Sequence, residues 1–198
     1  MLDVTATVQS SPKLQEELSR ARDSVAAMKG SGTLSELEDH WKEYLGRLER
    51  VWFKAFAHYK KSPKWQGWQA RFEKERKDDP LLSYLRNARG ADEHTVSDIV
   101  EHQQSHIAIV PGEQGGTIRN LRISGGVATA ETTGTVGVVF NPARIKLLPV
   151  VNRGVTFDVP GKHQGNTLDP ENVVSVAEVG LQYYEKFLNE ANTFFVDK

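Results

Sequence analysis

The chain has 198 residues and no cysteine, and its 25 lysines and arginines nearly balance 26 aspartates and glutamates, leaving a formal net charge of -1. That length can close a hydrophobic core without staples, and the missing thiols exclude disulfide frameworks, thiolate metal sites and cysteine nucleophiles. A near-neutral chain offers no long-range field to a polyanion, so any nucleic-acid contact has to be local.

The opening residues Met1 to Thr7 lack the basic start and apolar core of a secretory signal. No later run approaches the roughly 18 apolar residues that a spanning helix needs. These features predict a cytoplasmic protein with no membrane contact. Helix starts are marked by a capping residue followed by proline at Ser11-Pro12, Ser62-Pro63, Asp79-Pro80 and Asp169-Pro170. The side-chain oxygen accepts from an orphan backbone N–H, and proline gives up a donor that has no helical partner. Thr33 and Glu36 have the spacing of a capping box.

In chain order, the first helix covers residues 12 to 28, with Leu14, Leu18, Ala21, Val25 and Met28 on one stripe. The second covers residues 34 to 59 and carries a wide aromatic stripe through Trp41, Tyr44, Leu48, Trp52, Phe56 and Tyr59, which suits the centre of a bundle. Residues 63 to 77 place Trp65, Trp68 and Phe72 on one face, as a core surface or a platform for stacking bases. A fourth helix is predicted over residues 80 to 104, burying Leu81, Leu85, Ala88, Val96, Ile99 and Val100.

From His106 the period changes to two. Short β-branched runs at 107–110, 117–123, 127–132 and 136–140 are separated by Gly115-Gly116, Gly125-Gly126 and Gly134, which reads as an antiparallel meander. Further extended segments lead to a polar loop around His163, and a last amphipathic helix spans 170 to 195. The pattern predicts an α+β fold: an up-and-down helical bundle from residues 1–104 and 168–198, with an antiparallel β insertion over 105–167 placed before the C-terminal helix.

The densest polar chemistry lies between Asp79 and His94, where Arg86, Asn87, Arg89, Asp92, Glu93 and His94 fall in one predicted helix. The Arg89-x4-His94 step, late in an apolar helix-forming run, resembles the signature of the HEPN family of small helical proteins, many of which are metal-independent RNases. The resemblance implies a homodimer in which Arg89 stabilises phosphate charge and His94 transfers the proton, with no cofactor. Gly90 stands where many members carry a polar residue, and Asn87 is a candidate substitute. On a regular helix Arg89 and His94 point about 140° apart, so both reach one phosphate only through a helix irregularity or a second subunit.

The alternative for the same residues is a salt-bridged helix in which Arg89 pairs with Glu93 and Asp92. The chain is then a non-catalytic interaction protein whose sheet meets a protein partner. RNA contacts would come from Arg86 and from Lys60, Lys61 and Lys64, within a segment from Lys54 to Lys77 that holds eight lysines and arginines against two glutamates. His102 and His106, one helical turn apart with Asp98 upstream, have the step of half a zinc site but lack the glutamate of a zinc protease. No metal is therefore assigned.

Overall fold

The computed structural model describes residues 11–94, 97–124 and 127–196. Five helices and eight strands lie among them, in the order α1 (Pro12–Gly30), α2 (Leu34–Tyr59), α3 (Trp65–Asp78), α4 (Pro80–His94), β1 (Val100–Gln103), β2 (His106–Ser124), β3 (Val127–Asn141), β4 (Arg144–Leu147), β5 (Val150–Asn152), β6 (Val155–Phe157), β7 (Lys162–His163), β8 (Asn166–Thr167) and α5 (Val173–Phe195). The fold is α+β and rich in helix, with a C-terminal helix after the strands. No described helix is long and apolar enough to cross a membrane.

Two compact units divide the chain. The helical unit carries the chain up to His102 and again from Ile145, and the other unit is Gln103–Arg144. The insertion is thus narrower than residues 105–167. Ile145, Leu147 and Val150 are buried in the helical core, and β5, β6 and β7 pack on α4. Period alone identifies such short strands as extended but does not say which surface they cover.

The helical unit is built on α2. Its capping box forms as the spacing demands, with the Thr33 hydroxyl accepting from the Glu36 amide and the Glu36 carboxylate from that of Thr33. Trp41, Tyr44, Leu45, Leu48, Val51, Ala55 and Tyr59 are buried against α1, α4 and α5. Trp65 and Phe72 of α3 are buried and Trp68 is half-buried against them: Trp65 stacks on Tyr59, Trp68 lies 4.7 Å from Phe72, and Phe72 meets Phe187 edge-on at 5.0 Å. The closest interlock is at Gly180, where a Cβ would sit 2.5 Å from the Tyr44 hydroxyl and 2.6 Å from a Leu85 methyl. Only glycine lets α5 approach α2 and α4 that closely.

Asp79 caps α4 by accepting from the Leu82 amide, but the other capping-residue-plus-proline starts differ in detail: the Ser11 side chain makes no capping bond to α1, α3 opens at Trp65 behind Lys64 rather than at Ser62-Pro63, and α5 begins three residues later than Asp169-Pro170 suggests and is capped by Asn172. Asp169 instead accepts from the Glu171 amide in a turn. Helix α4 stops at His94, short of the expected residue 104. Ile99 and Val100 are buried as expected, but β1 pairs with β4, a long-range partner that local periodicity does not reveal. The expected burial of Val96 lies outside the described residues.

The inserted unit departs most from expectation. Its four short runs form one two-stranded antiparallel ribbon, β2 with β3, paired from His106↔Asn141 to Ser124↔Val127 with two shifts of register. Gly115-Gly116 and Gly134 do not reverse the chain. Gly116 lies opposite Gly134, and five steps of β2 from Pro111 to Gly116 face two steps of β3 from Val136 to Gly134, so the glycines absorb a bulge. Gly115 and Gly134 take φ of 75° and 79°, and a Cβ on Gly134 would strike the Gly115 carbonyl at 2.5 Å. A second irregularity, between Arg119 and Arg122, places Asn120 at φ 54°. The expected reversal at Gly125-Gly126 lies outside the described residues.

One buried acid couples the helical unit to pH. Glu17 of α1 is buried and meets Lys54 at 2.6 Å and Arg47 at 3.4 Å from α2. Burial pushes its carboxyl up, but Lys54 and Arg47 together outweigh that and hold it below the usual carboxylate range. A lowered folded value means that stability is present above the unfolded-state value of about 4.3 and is lost as pH falls through the folded one. Urea midpoints of the wild type and Glu17→Gln are expected to differ most near neutrality, wild type higher, and to converge below about pH 4. A constant difference across that range refutes the assignment.

Candidate functional site

Three polar constellations lie in the helical unit, and the residues of the Arg-x4-His step belong to the first. Arg89 is half-buried in α4 and its guanidinium meets Glu93 at 2.7 Å, the i,i+4 partner. Its Nε is buried with no acceptor among the described residues. Asp92 turns the other way and meets Lys42 at 3.4 Å. His94 is exposed at the last residue of α4, and no hydrogen bond or ion pair joins it to Arg89. Asn87 donates to the Ser83 carbonyl at 2.8 Å and accepts from Asn152 at 3.0 Å, fastening β5 to α4. Gly90 leaves room for the Asn152 amide, since a Cβ there would fall 2.5 Å from its nitrogen and displace the side chain.

The candidate RNA-binding cations divide into two groups. Lys61 and Lys64 are exposed, Lys60 lies 5.7 Å over the Phe56 ring, and Arg86 is exposed on α4. Elsewhere in the basic segment, however, Lys54 is paired with Glu17, Arg71 with Glu190 and Arg76 with Glu49. The segment is therefore far less basic in space than along the chain.

Arg76 is the centre of the second constellation, which spacing alone does not bring forward. It is 3 % exposed, pairs with Glu49, donates from Nε to the Tyr184 hydroxyl at 3.0 Å, and lies 4.1 Å over the Trp52 ring. Burial works against the guanidinium charge, but Tyr184 and Glu49 more than restore it. Burial pushes the Tyr184 phenol up to about 12 although Arg76 draws it down, so both groups keep their ordinary protonation at neutral pH. The sequence does hold a signal. Glu49 falls four residues after Leu45 and three before Trp52, and Trp65, Gln69, Phe72 and Arg76 share one stripe, so both charges sit on buried faces. Glu49, Gln69 and Arg76 line a cleft of about 250 Å³ with Phe53, Phe56 and Arg86 around it.

The third constellation buries His163, which a loop between glycines does not announce. Its Nδ1 lies 2.9 Å from Asp79, whose carboxylate also accepts from the Leu82 and Gln164 amides. One side chain thereby caps α4 and holds the β7–β8 hairpin against it.

The histidine pair considered for metal is dismantled. His102 lies in β1 and His106 opens β2, so no helical turn sets them side by side. His102 meets Glu38 at 2.7 Å, in a chain that continues through Lys42 to Asp92. Among the described residues no group of three or more histidines and carboxylates is arranged to hold a metal ion.

On the ribbon, Ile107 and Phe140 lie directly opposite each other and are 63 % and 65 % exposed. Val110, Leu121 and Val139 are exposed as well. No protein-family model matches the chain, no curated protein matches it, and no solved structure matches it.

Proposed function

We propose that the protein is a non-catalytic assembly factor of the cytoplasm that associates with a second copy of itself through the β2–β3 ribbon. The observation that carries this reading is the exposed Ile107–Phe140 pair on a sheet of only two strands. Two-stranded hairpins are marginal in water, and the run Ile107-Ala108-Ile109-Val110 is apolar on both faces, as strands are when something covers them. The ribbon's charge selects the occupant. Arg119 lies opposite Glu131, and Glu113, Arg122 and Arg144 are the remaining charges of this unit, so its net charge of about +1 gives a polyanion little attraction and a second ribbon little repulsion. A face roughly 50 Å long and 10 Å wide, packed on its copy, buries about 1,000 Å², the lower bound for a specific interface.

Sedimentation equilibrium tests this. The wild type is expected to dimerise with rising concentration, and Ile107→Asp with Phe140→Asp to remain monomeric with unchanged helical circular dichroism. A wild type monomeric at its highest soluble concentration, or a variant that dimerises equally, overturns it.

A second reading, RNA cleavage at Arg89 and His94, is favoured by one observation: the buried Arg89 Nε that lacks an acceptor among the described residues. A phosphate oxygen would supply one only where the Arg89 side chain turns that nitrogen out to the surface. Cleavage of mixed RNA in chelator, lost in both Arg89→Ala and His94→Ala, supports that reading, and cleavage indifferent to either removes it.

A further inference from the structure

The cleft between α2, α3 and α4 holds three polar side chains that are each at least nine-tenths buried, Glu49, Gln69 and Arg76. Glu49 and Arg76 satisfy each other. Gln69 makes no side-chain hydrogen bond with any described residue, although its amide carries two donors and an acceptor. Its amide nitrogen and oxygen are not sealed from solvent, so they open onto the cleft, where a ligand atom can take the place of water.

The rest of the lining narrows the ligand's chemistry. Phe53 is 58 % exposed and Phe56 39 %, an unusual expenditure of aromatic surface on one turn of α2. Two flat apolar side chains beside an open amide suit a flat ring with a polar edge. Glu49 and Glu73 balance Arg76 and Arg86, so the cleft favours an uncharged group. At about 250 Å³ it is smaller than the clefts that hold drug-sized molecules and is scaled to one or two rings.

We propose that this cleft binds an uncharged planar heteroaromatic ring of the nucleobase class. The ring's adjacent N–H and acceptor meet the Gln69 amide, and its faces lie against Phe53 and Phe56. A side-chain amide paired with a base edge is a recurrent geometry, since one amide supplies a donor and an acceptor in the same plane. The base can arrive as a free nucleoside or as part of an RNA strand. Arg86, exposed beside the cleft, distinguishes the two because only a strand or nucleotide brings phosphate to it.

The test is a titration of the ¹⁵N-labelled full chain, observing the Gln69 side-chain amide, assigned by its absence in Gln69→Leu. Adenosine, guanosine, cytidine, uridine and short oligoribonucleotides are added in turn, with phenol as a ring that lacks the polar edge. At least one nucleoside is expected to shift the resonance saturably while phenol does not. Gln69→Leu and Phe53→Ala, followed through neighbouring backbone resonances, are expected to weaken binding at least tenfold with unchanged helical circular dichroism. An oligonucleotide that binds more tightly than its nucleoside, with the gain lost in Arg86→Ala, identifies the strand as the source. Equal binding identifies the free base. No saturable shift with any of these ligands, or binding unchanged in both variants, overturns the proposal.

Discussion

Glu49→Leu alone is expected to lower the unfolding free energy by about 3–5 kcal/mol, whereas Glu49→Leu combined with Arg76→Met is expected to recover most of that loss. The asymmetry follows from burial. Arg76 is 3 % exposed and Glu49 6 %, so removing either partner leaves a charge that is largely buried and poorly hydrated. Removing both eliminates the two desolvation costs together, and Met and Leu can fill the space against Trp52 and Tyr184. Urea unfolding of the two single variants and the double variant gives the coupling directly. Additive losses would show that Tyr184 and Trp52, not Glu49, carry the guanidinium.

Asp79→Ala is expected to cost about 2–4 kcal/mol, the sum of a lost N-cap and of donors left open by a partner that was half-buried. Three donors converge on that carboxylate, the Leu82 amide, the Gln164 amide and His163 Nδ1. Asp79→Asn keeps an oxygen for the cap and should lose less, while His163→Ala removes only one of the three contacts and should lose least. Amide exchange locates the damage. In Asp79→Ala, protection should fall at the start of α4 and in the β7–β8 hairpin together, and a loss confined to α4 would separate the two elements.

How much of this architecture can be read from the sequence depends on the range of the interactions that build each part. Helix α1 follows from its stripe and the proline at its start, and α2 from a stripe and a capping box written within a few residues, so that it occupies the span they specify. The end of α4 does not, because Val100–Gln103 takes its conformation from β4, more than forty residues later. Glycine misleads in the ribbon. At Gly115, Gly116 and Gly134 its freedom serves a bulge, and nothing local separates a bulge from a reversal. The buried charges follow the same logic. Arg76 belongs to a basic run along the chain and to a buried stripe in space, and its own place in the α3 stripe together with that of Glu49 in the α2 stripe hints at which governs. For Arg89, the i,i+4 pairing with Glu93 is legible because both residues share one helix.

Gly180 also bears on the order in which the protein can be completed. The helix that threads between Tyr44 and Leu85 is translated after the whole ribbon, so α1 to α4 wait with Tyr44, Leu48 and Trp52 lacking their final cover while more than seventy residues emerge. Closure by a late, distant segment makes folding slow relative to synthesis and leaves a nascent chain with sticky aromatic surface. Ribosome-stalled chains released before α5 should therefore be protease-sensitive and recruited by chaperones, and addition of the final helix should end both.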